Sequence, residues 1–200
     1  MSNFLSNAAP RASFFSLDQS LRRNVFRFLR DDYMAAAVLA EAYPRFEHEI
    51  GACVFQTYRA TGCFHLFGFL SALFDVPALA PYVETIILDS EFDEGPYSGF
   101  YGWLLFLAEE VLPPGHWLVP MQQYAFQFEQ YCEEKGAFLA EGFVHGTEDW
   151  PPEVHNLPLL VLLPALCPNV VEVEMPAEWG EEAEQEAWNN FPSVEEVRMA

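Results

Sequence analysis

The stretch DSEFDEG at 89–95 sets three carboxylates, Asp89, Glu91 and Asp93, at alternate positions. Oxygen ligands at that spacing are the first three positions of a calcium-binding loop of the EF-hand type. Such a loop also needs glycine sixth and glutamate twelfth, and this chain has Glu94 and Phe100 there. The run therefore reads as an acidic, solvated loop. The histidines His48, His65, His116, His145 and His155 form no HExxH or other paired spacing. His65, inside an apolar helix, reads as a hydrogen-bonded core residue. Cys53, Cys63, Cys132 and Cys167 make no CxxC pair, so zinc and dithiol chemistry have no motif to rest on. Free, buried thiols in a reducing compartment are expected instead. The chain has no GxSxG, no phosphate-cradling glycine loop and no dinucleotide fingerprint. The single lysine, Lys135, would need a pocket to be catalytic. These residues support no enzyme class and no cofactor.

The 200 residues are 52% hydrophobic and 16% aromatic, enough for a sizeable core, and carry a net charge of −21. The charge is uneven. Residues 1–60 hold seven of the nine basic side chains and six acids, about +1; residues 61–200 hold 24 acids against Lys135 and Arg198, or −22. A surface that acidic repels nucleic acid and anionic membrane and favours a basic or neutral protein partner. The N-terminus lacks a basic n-region followed by an apolar run. The runs CFHLFGFLSALF (63–74) and LPLLVLLPALC (157–167) are too short to span a bilayer. A cytoplasmic or nuclear protein is expected.

Helical spacing of Leu17, Leu21, Val25, Phe28 and Leu29 predicts a helix over 17–29, followed by MAAAVLAEAY (34–43), which Pro44 closes. A third helical stretch, FEHEIGACVFQTYRA (46–60), is expected next, then an apolar helix at 63–75 ended by Val76-Pro77. Helices are also expected at 99–112, 120–135, 157–166 and 181–190. The run EWGEEAEQEAW (178–188) puts carboxylates in the first turns of the last of these, where they complement the helix dipole. Trp103, Trp117, Trp150, Trp179 and Trp188 are expected to fill the core between helices and strands.

One phrase occurs three times: APYVETIIL (80–88), CPNVVEVEM (167–175) and FPSVEEVRM (191–199). Each has Pro, then Val two residues on, Ile or Val three further, and Leu or Met two beyond that. A helix is expected before each copy, and alternation at the end of each predicts a strand. Val173 and Met175 should point one way and Glu172 and Glu174 the other. The last two copies lie 24 residues apart, and a helix–strand unit of that length cannot bury both apolar faces alone. Stacked on its neighbours it can. The expected architecture is α/β: parallel strands side by side, each backed by the helix that introduces it.

The Val-x-x-Val-x-Met spacing resembles the core of a leucine-rich repeat, which implies a helix–strand solenoid over 61–200 with an irregular helical insertion at 89–156. The stretch FFSLDQSLRRNVFRFLRDDYMAAAVLAEAYPRF (14–46) resembles an F-box, through Leu17, Leu21, Val25, Phe26, Phe28 and Leu29, then Met34, Ala37, Leu39 and Phe46. It departs from that family at Asp18, where proline is expected, at Ser20, where an acid is expected, and at Arg22 and Arg23. Residues 1–13 read as a flexible leader and 14–60 as the F-box-like segment. The resemblance implies a non-catalytic receptor linking a bound protein to a cullin–RING ubiquitin ligase. Leu17, Leu21, Val25, Phe28 and Leu29 would contact the adaptor, with the four arginines Arg22, Arg23, Arg27 and Arg30 aiding the approach to an acidic partner. Glu172, Glu174, Glu196 and Arg198 would meet a client protein. An interaction scaffold whose helical head is only a cap is the alternative, and an enzyme with its site in 89–156 is a third. The last phrase is followed by no helix, so an edge contact with another chain is also expected there.

Overall fold

The computed structural model describes residues 14–60, 63–88 and 159–200, together with Pro114 and Gln122. The leader expected at 1–13 and the helices and insertion expected within 89–156 lie outside the described residues. So do the acidic loop, Lys135, Cys132, His116, His145, His155, Trp103, Trp117 and Trp150.

Helix α1 (Gln19–Arg27) starts where the Asp18 carboxylate accepts the Leu21 N–H at 2.9 Å. Helix α2 (Tyr33–Ala42) starts the same way, Asp32 accepting from Ala35 at 3.0 Å. Each cap satisfies an N–H that the first turn cannot pair internally. The departure from the F-box pattern at Asp18 thus supplies a cap in place of a proline. Helix α3 (Glu47–Ile50) runs on as a π-turn, Gly51–Phe55. The helical reading of 46–60 fails at its end. Thr57–Arg59 is a strand, β1, with Tyr58 buried between exposed neighbours. The helical period stops at the π-turn, and the β-branched and aromatic residues beyond it suit an extended, half-buried segment.

Helix α4 (Cys63–Asp75) leads through a 3₁₀ turn to β2 (Thr85–Ile87). Helix α5 (Leu159–Leu166) leads to β3 (Glu172–Met175), and α6 (Gly180–Asn190) to β4 (Glu196–Met199). The four strands form one parallel sheet in the order β1-β2-β3-β4. The expected helix-then-strand order and parallel pairing are found, with β1 as a member the sequence reading missed. Register pairs Tyr58, Ile86, Val173 and Val197 in one row. The first three of these are fully buried under the helices, and Val197 is partly buried. Glu172–Met175 alternates between half-buried and buried, as expected for a strand with one covered face.

The phrase repeats in its hydrogen bonds as well as its letters. Val83, Val170 and Val194 each donate to the residue before the phrase's proline: Ala80 at 3.1 Å, Cys167 at 3.4 Å and Phe191 at 3.5 Å. Asn169 Nδ2 donates to Pro81 O at 2.9 Å, and Ser193 Oγ to Pro168 O at 3.0 Å, so in the second and third copies the residue after the proline stitches its turn to the one before.

Three rings, Phe14, Phe26 and Phe46, meet with centroids 5.6–6.0 Å apart and fix α1 against the 3₁₀ turn Pro44–Phe46 that enters α3. Alanines 36, 37 and 40 are buried on α2, where short side chains let α4 approach. Tyr58 stacks on Phe69 of α4 at 3.9 Å and 14°, which ties β1 to that helix. Cys53 and Cys167 are free, and burial pushes the Cys167 thiol up to about 12. Trp179 is buried, as expected. Trp188 is 43% exposed, against the expectation that it fills the core, because it lies on the face of α6 turned away from the buried Ala183 and Ala187. No helix among the described residues is long and apolar enough to cross a membrane.

Gly51 sits against the Tyr82 ring, where a Cβ would overlap the ring carbons. Gly68, inside α4, has open space at the same position. Gly51→Ala is expected to destabilise by ~1–3 kcal/mol through overpacking. Gly68→Ala should stabilise by up to ~1 kcal/mol, because alanine loses less backbone entropy in a helix. Urea midpoints of the two variants should move in opposite directions.

Candidate functional site

Two surfaces bring the sequence-predicted site residues together. On α1, Leu21 and Val25 stand one turn apart, and Phe28 follows at the helix end. Residues at i, i+4 and i+7 share a face. All three point outward, with exposures of 50%, 42% and 87%. Leu17, ahead of the helix, is half-buried, and Leu29 packs partly against the core. The five positions therefore divide into an exposed apolar stripe of three and two that help seat the helix. Phe26, fully buried, is the residue of α1 that anchors it.

The arginines divide too. Arg22 is drawn inward: it makes two hydrogen bonds to the Glu49 carboxylate, at 2.6 and 3.1 Å, donates to Leu17 O at 2.6 Å, and lies 5.2 Å from the Phe46 ring centroid. Hydrogen bonding to Glu49 raises its pKa above the ordinary arginine value. Of the four arginines expected to assist docking, Arg22 is thus committed to holding α1 on α3. Arg23 and Arg27 are exposed on the helix, and Arg27 donates to Asn24 at 3.4 Å.

The second surface is the outer face of the sheet. Register sets Thr57, Thr85, Glu172 and Glu196 in one row and Arg59, Ile87, Glu174 and Arg198 in the next. All four residues proposed for a client therefore share one face, on β3 and β4. Arg198 is the hub: Nη1 meets Glu172 at 2.6 Å, and Nε and Nη2 grip both oxygens of Glu196 at 2.7 and 2.8 Å. Thr85 Oγ1 lies 3.5 Å from Glu172 Oε2. Three carboxylates against one guanidinium leave β3 and β4 net acidic. Thr57, Arg59, Thr85 and Ile87 complete the face and were not foreseen. The alternation in QTYRA, a β-branched residue, an aromatic and a cation, was the signal available for β1.

Among the described residues no cluster of His, Cys, Asp and Glu side chains is arranged to hold a metal. Comparison with family models, curated proteins and solved structures gives no match.

Glu196 lies below its usual carboxylate value, first through its hydrogen bonds from Arg198. A depressed carboxylate adds stability that is present above its unfolded-state value and lost as pH falls through the folded-state value. Arg198→Ala should move the Glu196 titration up toward the ordinary range, read by carboxyl NMR. It should also soften the acid-side loss of stability. Unfolding at pH 7 should change little, because the pair is open to solvent.

Proposed function

We propose that this chain is a non-catalytic receptor. Its N-terminal helices act as an F-box-like module that docks onto the adaptor of a cullin–RING ubiquitin ligase. Its helix–strand units act as a leucine-rich-repeat-like solenoid whose outer sheet face binds a client protein. The observation that carries this reading is the exposed stripe Leu21, Val25 and Phe28 on a helix otherwise pinned by Phe26 and Arg22. A helix that only capped the stack would have no need to present three large apolar side chains to solvent, and such a cluster suits a partner's apolar groove. Arg23 and Arg27 are exposed on the same helix and favour an acidic adaptor.

The solenoid reading is supported by four parallel strands in chain order and by a proline turn that recurs three times with the same bonds. The spacings of the paired strand starts are 28, 87 and 24 residues. Two of these suit single coils of such a stack, and the long one suits an inserted segment. The acidic outer face suits a basic client, with Glu172, Glu174, Glu196 and Arg198 at the contact. This role would place the protein in the cytoplasm or nucleus. A scaffold without an adaptor is the second reading, favoured by the inward placing of Leu29 and Arg22, which serve the fold as a cap would.

Leu21→Asp and Phe28→Asp are expected to weaken adaptor binding about tenfold to a hundredfold each, since burying such a side chain contributes ~1.5–3 kcal/mol. Both residues are exposed, so circular dichroism and the unfolding midpoint should stay close to wild type. Glu174→Ala should leave adaptor binding unchanged. Wild-type protein that shows no adaptor binding at micromolar concentration would transfer the case to the scaffold.

A further inference from the structure

Among the described residues the sheet ends at β4. Its bonds to β3 fix which backbone groups face the open side. The Glu196 and Ala200 N–H groups donate to Val171 O and Met175 O. Alternate residues of a strand point to the same neighbour, so the N–H and C=O groups of Val197 and Met199 point the other way. The carbonyls of Gln56, Glu84 and Val171 each receive the start of the next strand, and register makes Glu195 O the fourth of that series.

The side chains show the same opening. Val173 and Met175 of β3 are fully buried, whereas Val197 and Met199, paired with them in register on β4, are only partly buried. Trp188 of α6 is exposed, although Pro164, 24 residues earlier on α5, is buried. Standing at the end of the sheet does not by itself uncover this row. Tyr58 of β1, at the other end, is fully buried and packs against Tyr33 of α2.

The order of charges along β4 shows what fits the edge. Glu196 and Arg198 flank Val197 on the outer face, one acid and one base placed symmetrically. A second β4 laid antiparallel with Val197 opposite Val197 sets each Glu196 opposite an Arg198. The backbone agrees with that register. Val197 exchanges N–H and C=O with the opposing Val197, and each Met199 N–H meets the opposing Glu195 carbonyl. The charged pairs then fall at non-hydrogen-bonded positions, where opposing side chains come closest.

We propose that β4 is a self-pairing edge, through which two copies of this chain join antiparallel across Val197 into a two-fold dimer with one continuous sheet. The two-fold axis stands normal to the sheet, so the helices of both copies lie on the same side. Arg198 keeps Glu172 of its own β3 and exchanges Glu196 of its own strand for Glu196 of the partner subunit. The pair it gives up is half open to solvent.

Each copy carries a charge of −21. The test is therefore made at about 0.15 M salt, where a Debye length of about 8 Å screens that repulsion. Sedimentation equilibrium of the whole protein, from micromolar to millimolar concentration, should show monomer passing to dimer. The Val197 and Met199 amides should exchange fast in dilute protein and slow down as the dimer fills. Val197→Pro removes the central edge N–H and takes no bond from β3, so it should abolish the dimer while circular dichroism stays that of the wild type. Glu196→Arg sets arginine against arginine and should weaken association at least about tenfold, and Arg198→Glu should do the same with glutamates. Mixed in equal amounts, those two variants are complementary and should form a heterodimer at least as tight as the wild-type dimer. Protein that stays monomeric throughout, or edge amides already slow in dilute protein, would overturn the proposal. So would a dimer that Val197→Pro or Glu196→Arg leaves unchanged, or a mixture of folded variants that associates no better than each alone.

Discussion

Each parallel pairing among the described residues begins with the same contact: two successive N–H groups at the start of a strand converge on one carbonyl at the start of the strand before. Glu84 and Thr85 donate to Gln56 O, Val171 and Glu172 to Glu84 O, and Glu195 and Glu196 to Val171 O, at 2.8–3.2 Å. Parallel strands cannot be joined by a tight hairpin, so each must be brought alongside by a crossover. Here a helix precedes each of β2, β3 and β4, a buried residue before proline (Ala80, Cys167 and Phe191) leads into each of these strands, and the convergent carbonyl sets where the next strand starts. Because the side-chain period is two, a slip of one residue on β3 or β4 would exchange buried Val173 or half-buried Val197 for a charged neighbour. The starting contact therefore decides both what is buried and what is presented.

From that constraint the two surfaces follow. The row under the helices is apolar, with Tyr58, Ile86 and Val173 fully buried. The alternate positions must then face outward, and on β3 and β4 they are acidic. Arg198 compensates part of that charge, bridging Glu172 on the neighbouring strand and Glu196 on its own. At the other end of the sheet the outward residue is Arg59, so charge along the face runs from basic on β1 to acidic on β3 and β4. On α1 the logic is that of a helix: Phe26 and Arg22 take the inner side, leaving Leu21, Val25 and Phe28 outside.

Much of this was legible because the controlling features are local and repeated. The phrase Pro-x-Val-x-x-Val-x-Met names its own turn, its buried row and its period. Asp18 and Asp32 precede their helices as capping residues do, and Val76-Pro77 ends α4 where the proline ring forbids continuation. β1 was hidden because it is three residues long, lacks the proline turn, and follows a helix that widens into a π-turn instead of stopping at a breaker. Trp188 was misjudged because an aromatic residue at helical spacing carries no sign of which face it occupies until the neighbouring helix is in place.

The sequence by itself determined which segments are strands with one covered face and which residues share that face, because a period of two and a recurring proline turn act over a few residues. Only the tertiary structure decided that β1 joins them, that Arg22 serves Glu49 and not the solvent, and that Arg30, Arg59 and His65 surround one cavity. Those relations join Arg22 to Glu49, 27 positions on, and Arg30 to His65, 35 positions on, through packing of α1, α3, α4 and β1, and no local pattern encodes a contact made only when separate elements meet.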